Sequence, residues 1–481
     1  MSTVSYIIII LTIINIAAAV AAIILERRNP AASAAWVMVV FMLPGVGVIL
    51  FLLLSQNISA RKIYRLSDFE EMKINTSLGR QMQEIADGTF SFSTEEGKLW
   101  QDMIHLNQLY GRAYYSQNNR IKFLTDGRQM FETLMRDIES AHETINVMFF
   151  IIKNDTVGRQ FIEALTKKAR EGVKVRLLMD SMGSRQINDK VLRDFMDAGG
   201  KRAYFFPRKF NLVNLDFNYR NHRKLAVIDG KIGYTGGFNI AEEYLGLKKK
   251  FGNWRDTHIR ITGQSVQDIN ARFILDWRAA SKEDMILSEA FYSGVISEGT
   301  TGIQIVSSGL DSVKEEVKRS LLKMITSAQS NIYIQTPYFV PDDSILEALK
   351  MAAQCGVDVR VMIPCRPDHP LVYWATYAYA GELVRSGGRV FIYENGFLHS
   401  KTMVVDGETG TVGSTNFDRR SFSINFESNA FIYDRSEAQK MKKIFIEDMN
   451  DCGELTEELY DNRSITVKIR EVAARLVADL L

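Results

Sequence analysis

Hydrophobic and polar positions divide the chain into an apolar entrance followed by a long alternation of β-like and helix-like segments. Residues 4–25 are apolar without a charge. The polar break Glu26-Arg27-Arg28-Asn29-Pro30 follows, and residues 34–54 are apolar again, with Trp36 near one edge. Each run approaches the ~20 residues that cross a bilayer core as a helix. The first has no basic leader and a second run follows at once, which argues against a cleaved signal peptide. The pattern therefore predicts an N-terminal transmembrane hairpin, with Pro44-Gly45 and Gly47 as points where the second run could kink or turn back. Arg61, Lys62 and Arg65 after the second run, against Arg27 and Arg28 between the runs, favour a cytoplasmic catalytic part.

Beyond residues 58–115, a linker with helices, the periodicity becomes regular. A strand and turn are expected at 121–127, a helix at 131–138, a strand at 144–152, a helix at 157–171 ended by Gly172, and a strand at 173–179. The order then recurs: strand and turn at 303–309, helix at 313–327, strand at 331–336, helix at 344–354 ended by Gly356, strand at 357–363. Such recurrence means an internal duplication of α/β units, each a parallel or mixed sheet covered by helices. The expected units are residues 1–57, a membrane anchor; 58–115, the linker; 116–300, a first half; and 301–481, a second half.

Composition narrows this little. A chain of 481 residues is too long for one ordinary core. A net charge of +2, with 24% charged residues, gives no global field for a polyanion, so nucleic acid is not an expected partner. The three cysteines, Cys355, Cys365 and Cys452, form neither a CxxC pair nor a metal-spaced cluster, which suits a reducing compartment.

The chemistry lies in a doubled motif. Asn221-His222-Arg223-Lys224, Asp229 and Gly236-Gly237-Phe238-Asn239 are echoed by His399-Ser400-Lys401, Asp406 and Gly413-Ser414-Thr415-Asn416. A single His-Arg-Lys is usually a solvated strand face; two copies of a spaced pattern inside a doubled fold are not coincidence. Alternation along a strand puts His222 and Lys224 on one face, and likewise His399 and Lys401. Asp229-Gly230 and Asp406-Gly407 read as hairpin turns that deliver Gly237 with Asn239, and Ser414 with Asn416, beside the histidines. Two imidazoles, two ammoniums and two carboxamides suit a phosphodiester. Lysines and asparagines bind the non-bridging oxygens, one histidine attacks phosphorus and the other moves the proton. A carboxylate behind each ring would hold its tautomer; Asp256 and Glu427 are candidates, with Asp229 and Asp406 as alternatives whose turn positions suit a structural role. Lysine at the third place, where a metal site would want histidine or carboxylate, points to no metal and no cofactor. Arg220 either binds phosphate or caps a strand.

The repeated pattern resembles the phospholipase D superfamily. Asn221-His222-Arg223-Lys224, Asn416-Phe417-Asp418-x-Arg420-Ser421, Asn425-x-Glu427, the run from Thr336-Pro337-Tyr338 to Asp342, and Glu26-Arg27-Arg28-Asn29-Pro30 are similar to bacterial cardiolipin synthases. The resemblance covers nearly the whole chain. It implies an α/β fold of two phospholipase D-like α/β/α sandwich halves packed into one catalytic unit, behind a transmembrane hairpin in the cell membrane. It further implies that one phosphatidylglycerol donates its phosphatidyl group to an enzyme histidine with release of glycerol. A second phosphatidylglycerol then accepts the group to give cardiolipin. By this analogy His222, Lys224, Asp229, His399, Lys401 and Asp406 are catalytic; His222 is taken as the nucleophile and His399 as the acid/base, an assignment the near-symmetry of the halves leaves open. Gly237, Asn239, Asp256, Ser414, Asn416 and Glu427 attend the substrate. One departure between the copies is the unequal pair Gly237 and Ser414, which marks different tasks for the two histidines. A hydrolase of the same superfamily, a phospholipase D or a nuclease, and a membrane scaffold on a decayed fold are the rivals.

Three further stretches bear on lipid contact. Residues 371–383, with Tyr373, Trp374, Tyr377 and Tyr379, suit a helix packing aromatics onto its own core. Lys248-Lys249-Lys250 and the amphipathic tail, with Lys468, Arg470 and Arg475, offer cations to anionic headgroups.

Overall fold

A computed structural model describes residues 6, 10, 12–17, 20, 30–43, 45–54, 63–64, 66–205, 219–281, 283, 285, 287, 299–309 and 314–476. One mixed sheet runs through both halves. From one edge to the other, its first-half strands are Lys201–Phe205, Lys174–Asp180, Thr144–Phe149, Leu225–Ile228, Ile232–Gly236, Trp254–Gly263 and Ser116–Asp126. The second half repeats that order outward from the middle: Thr301–Ser308, Glu427–Tyr433, Thr409–Gly413, Thr402–Val405, Asn331–Gln335, Asp358–Pro364 and Arg389–Tyr393, with Cys452–Leu455 added at the edge. The outer strands of each half pair in parallel, apart from the added edge strand Cys452–Leu455, and the central ones are antiparallel. The halves join where Ser116–Asp126 meets Thr301–Ser308 antiparallel. The duplicated α/β reading therefore matches the element order, and the sheet is the mixed alternative.

Helices cover both faces because their apolar stripes must be buried. Gly127–Glu139 sinks Met130, Leu134 and Ile138, and Glu316–Ser327 sinks Val317, Leu321 and Met324. Asp126, Asp155 and Asp342 cap helix starts, each side chain accepting a backbone N–H three residues on. One apolar cluster backs each half. A third is shared, with Phe273 and Trp277 from the first half meeting Phe391, Phe426 and Phe445 from the second. A core that spans the seam makes the halves one packed body.

The amino-terminal region departs from expectation. No described helix is long and apolar enough to cross a membrane, and most of the first apolar run lies outside the described residues, as do Arg27, Arg28, Arg61, Lys62 and Arg65. The second run is not one helix but two, Pro30–Met42 and Val46–Leu54. Gly45 turns the chain with φ +80, and Trp36 meets Phe51 edge-on at 5.6 Å, so the two helices fold back on each other. Gly47 permits the contact, since a Cβ there would stand 2.6 Å from the Val39 carbonyl oxygen.

Candidate active site

Each motif begins as extended chain just ahead of a short strand, Leu225–Ile228 or Thr402–Val405. The hairpins that follow have two successive left-handed residues, Asp229 and Gly230 at φ 50 and 62, Asp406 and Gly407 at φ 54 and 64, the geometry that Asp-Gly favours. The residues leading into each motif dock on the other half. Asn221 bridges Phe426 in parallel, and His222 N–H donates to the Phe426 carbonyl at 2.9 Å. Phe397–Leu398 pairs in parallel with Trp254–Arg255, and His399 N–H donates to the Arg255 carbonyl at 2.7 Å. The strand residues that receive them stand immediately before Glu427 and Asp256.

The carboxylates are therefore crossed. His222 Nδ1 lies 3.0 and 3.1 Å from the two oxygens of Glu427, and His399 Nδ1 lies 2.5 Å from Asp256 Oδ2. Each carboxylate has no exposed side-chain surface. Nδ1–H donation to a carboxylate leaves Nε2 with its lone pair, the form that can attack phosphorus or accept a proton. Asp256 and Glu427 thus bind the histidines of the opposite copies rather than substrate.

The lysines complete the pocket. Lys224 Nζ donates to the His222 carbonyl and Lys401 Nζ to the His399 carbonyl. Burial drives the Lys224 ammonium down to about 7 and that of Lys401 to about 8, with Glu427 and Asp256 respectively opposing the fall. Burial likewise lowers His222, and lowers His399 to about 4. Both lysines add to the lowering of both histidines, so the two motifs share one electrostatic site. Burial alone would raise Asp256 and Glu427. Lys401 and His399 outweigh it at Asp256, and His222 and Lys224 at Glu427, holding both carboxylates below their ordinary range. The two carboxylates sit behind the rings and only partly offset the burial of the lysines, so the lysines suit a ligand that brings further negative charge.

Aromatic rings flank both imidazoles. Phe150 stands edge-on to His222 at 5.0 Å, and Trp254 lies 5.1 Å from the His399 ring. Among the described residues no group of three His, Cys, Asp or Glu side chains is placed to hold a metal ion.

The copies differ behind the rings. Ser414 Oγ donates to Glu427, and the Ser414 carbonyl lies 3.1 Å from His222 Nδ1. At the matching place Gly237 leaves room for Asp256, whose Oδ1 would stand 2.0 Å from any Cβ. Asn239 is consumed internally: its Oδ1 accepts the Ile151 N–H at 3.0 Å and its Nδ2 donates to Tyr244 Oη at 3.0 Å. Asn416 Nδ2 donates to Asp418 at 3.2 Å, while its buried Oδ1 has no protein partner. Of the two asparagines, only Asn416 keeps a group for a ligand.

Asp229 and Asp406 do not join the site. Asp229 accepts the N–H groups of His142, Glu143 and Thr144, each at 2.8 Å. Asp406 accepts those of Gln329, Ser330 and Asn331 at 2.7 to 2.8 Å. They tie each hairpin turn to the loop before the neighbouring strand, so the catalytic reading of these two gives way to the structural one. The Arg220 carbonyl accepts the Phe426 N–H at 2.9 Å, and the Arg220 guanidinium charge acts on buried Asp180.

One network has no counterpart in the sequence reading. Arg223, between the catalytic pair, turns inward to Asp276 at 2.8 Å and donates to the carbonyls of Glu427 and Ser308. Tyr64, from the segment that follows the apolar entrance, donates to Asp276 at 2.5 Å and accepts from Arg223 at 3.2 Å. No spacing rule links residues 64, 223 and 276; only the buried charge of Arg223 demanded a partner.

Known proteins place this geometry. The family model described as cardiolipin synthase, PLD-like domain, matches residues 134–277 and 321–449, one match per half. A phospholipase D-nuclease N-terminal model matches residues 13–56. The cardiolipin synthase of Oceanobacillus iheyensis is 43% identical over 469 residues, covering 98% of each chain. That of Listeria monocytogenes is 44% identical over 482 residues, covering 100% of both. The crystal structure of phosphatidylserine synthase from Haemophilus influenzae superposes with a TM-score of 0.60 at 13% identity, covering 79% of this chain and 97% of that one, and shows the common fold. With the family model matched in both halves and relatives aligned from end to end, the chain belongs to the cardiolipin synthase family of phospholipase D-like enzymes.

Proposed function

We propose that the protein is a membrane-bound cardiolipin synthase that transfers a phosphatidyl group from one phosphatidylglycerol to another. The observation that carries this is the crossed pair of imidazole–carboxylate dyads sharing two buried lysines. Lys224 and Lys401 bind the non-bridging oxygens of the donor phosphodiester, whose negative charge replaces the water that burial removed. His222 Nε2 attacks phosphorus. The bond from phosphorus to the glycerol oxygen breaks as the protonated His399 supplies its proton to that oxygen, and glycerol leaves. His399, now neutral, takes the proton of the second phosphatidylglycerol's terminal hydroxyl. That oxygen displaces His222 from phosphorus and cardiolipin results. Glycerol and cardiolipin balance two phosphatidylglycerols, and no cofactor is required.

Asp256 approaches His399 closely and opposes, without reversing, the fall that burial and Lys401 impose on that ring, so the proton His399 donates is taken up once the anionic donor lipid is bound beside it. Glu427 shares its charge with Ser414, which suits a histidine that works as a neutral nucleophile.

In this reading residues 1–57 fasten the enzyme to the cell membrane, residues 58–115 link them to the catalytic halves 116–300 and 301–481, and the catalytic part faces the cytoplasm. Confinement at a surface keeps donor and acceptor lipids at high local concentration. Purified full-length protein in mixed micelles of phosphatidylglycerol should yield cardiolipin and glycerol in equal amounts. The His222→Ala and His399→Ala variants should yield neither while keeping the fold. Phosphatidic acid as the sole product would establish hydrolysis and refute the transferase.

A further inference from the structure

The last described helix, Ile465–Leu476, is amphipathic in an unusual sense: its one carboxylate faces the protein and an apolar row faces out. Inward, Glu471 is 2% exposed and Ala474 fully buried. Glu471 accepts from Arg463 Nε at 3.0 and 2.8 Å. The helix rests on Pro370–Arg385, where Arg470 lies over the Trp374 ring at 5.4 Å and Arg475 over the Tyr379 ring at 5.2 Å. Outward stand Ile465, Ile469, Val472 and Leu476, 69%, 60%, 61% and 64% exposed. Steps of four, three and four residues place them in one stripe along the helix. Single exposed apolar side chains are ordinary; an aligned row of four marks a surface that is covered in use.

Charge identifies the cover. Lys468 and Arg470 are the cations the helix adds beside the stripe, Arg475 being paired with Glu382 of the helix beneath, and the only carboxylate of the helix, Glu471, is turned inward and neutralised by Arg463. A second copy of the chain packed here about a two-fold axis would set these cations against their own equivalents, with no helix carboxylate to pair them. A bilayer carrying anionic headgroups satisfies both demands, taking the apolar row at the headgroup–acyl boundary and the cations at the phosphates. We propose that the helix Ile465–Leu476 lies in the plane of an anionic lipid surface and forms a second fastening point, far in sequence from the apolar entrance.

The consequence is orientation of the site. The helix Pro370–Arg385 that carries the docking helix begins directly after Asp368 and His369. Asp368 accepts from Tyr338 Oη, and its charge reaches Lys401 in the pocket. Fastening that helix to lipid holds the side of the site that includes Lys401 at a fixed attitude to the membrane. This rests on the lipid-transfer reading only in that such an enzyme works where anionic lipid is abundant.

The test uses the full chain with Cys355, Cys365 and Cys452 replaced by serine and an environment-sensitive fluorophore on Val472→Cys. Lys443→Cys, at a residue whose side chain is 77% exposed on another helix, is the aqueous control. With vesicles of mixed phosphatidylglycerol and phosphatidylcholine, the probe at 472 should shift to the blue and be quenched by spin-labelled acyl chains, while that at 443 stays aqueous. In pure phosphatidylcholine the effect at 472 should be several-fold smaller. An aqueous signal at 472 in both vesicles overturns the proposal, as does equal insertion into both. Protection in detergent that rises with protein concentration identifies a second copy as the cover and overturns it too. No outcome depends on turnover: a chain that makes no cardiolipin yet inserts its probe refutes the transferase and leaves the docking surface standing.

Discussion

Lys224→Met should make the protein more stable and inactive. Lys224 is fully buried, and its ammonium falls from 10.5 to about 7, burial being the largest cause. That fall corresponds to about 5 kcal/mol against the charged form, and about 4 kcal/mol of it applies at pH 7, where half the folded molecules hold the neutral amine. The unfolded chain protonates this lysine at 10.5, so the penalty is absent above that pH. It grows as pH falls towards 7 and is constant below. Methionine escapes the penalty but leaves the His222 carbonyl without its lysine donor, a loss of about 1 kcal/mol. The variant should therefore exceed the wild type by about 3 kcal/mol at pH 7 and by about 1 kcal/mol at pH 9. Turnover should drop by about 10²- to 10³-fold with the loss of one oxyanion donor. Urea unfolding of the full chain in detergent, followed by tryptophan fluorescence at several pH values, measures the difference through the midpoint. A variant less stable than wild type at pH 7, or a difference that does not change with pH, refutes the reasoning that burial of the Lys224 ammonium costs the fold stability.

His399 makes an opposite-facing contribution at lower pH. It stays neutral in the fold down to about 4, whereas the unfolded chain takes its proton at 6.5. Stability is thus intact above 6.5 and falls by up to about 3 kcal/mol as pH drops to 4; His399→Gln should flatten that segment of the unfolding profile. Asp256→Asn removes the anion that supports the His399 cation, so turnover should fall by about 10²- to 10⁴-fold with the fold unchanged by circular dichroism. Asp229→Ala withdraws the acceptor of three backbone N–H groups and places alanine at φ 50, costing about 2 to 4 kcal/mol, yet turnover per folded molecule should persist. A stable but inactive Asp229→Ala would return that residue to the catalytic set. Tyr64→Phe strips a hydroxyl from the buried Arg223–Asp276 pair and should lower stability by about 1 to 2 kcal/mol in the same urea assay.

Much of the architecture was readable from local pattern. Glycines 172 and 356 ended helices where periodicity stopped, and both have the positive φ of a helix terminus. The strand at 144–152 appears as Thr144–Phe149, and the helix at 157–171 as Thr156–Arg170. Alternation ran ahead of the hydrogen bonding at the motifs, since His222 and His399 precede their strands and are extended by pairing across the seam. The site's composition was legible because two copies could be aligned on each other. Its wiring was not: spacing set Asp256 near His222 and Glu427 near His399 in sequence, and only the packing of one half on the other exchanges them. The break in the second apolar run was visible as Pro44-Gly45 in the sequence, but that the helices on either side of it fold back on each other is settled by the Trp36–Phe51 contact, which no period encodes.

The exchange of carboxylates has a consequence for how this enzyme can be divided. A fragment ending near residue 300 would retain His222 without Glu427 and Asp256 without His399, and its complement would inherit the mirror deficiency. Each piece would also expose the unpaired edge left by separating Ser116–Asp126 from Thr301–Ser308. Activity should reappear only when both fragments are produced together, so selection on either proton-transfer group acts on residues inherited from both arms of the ancient gene doubling.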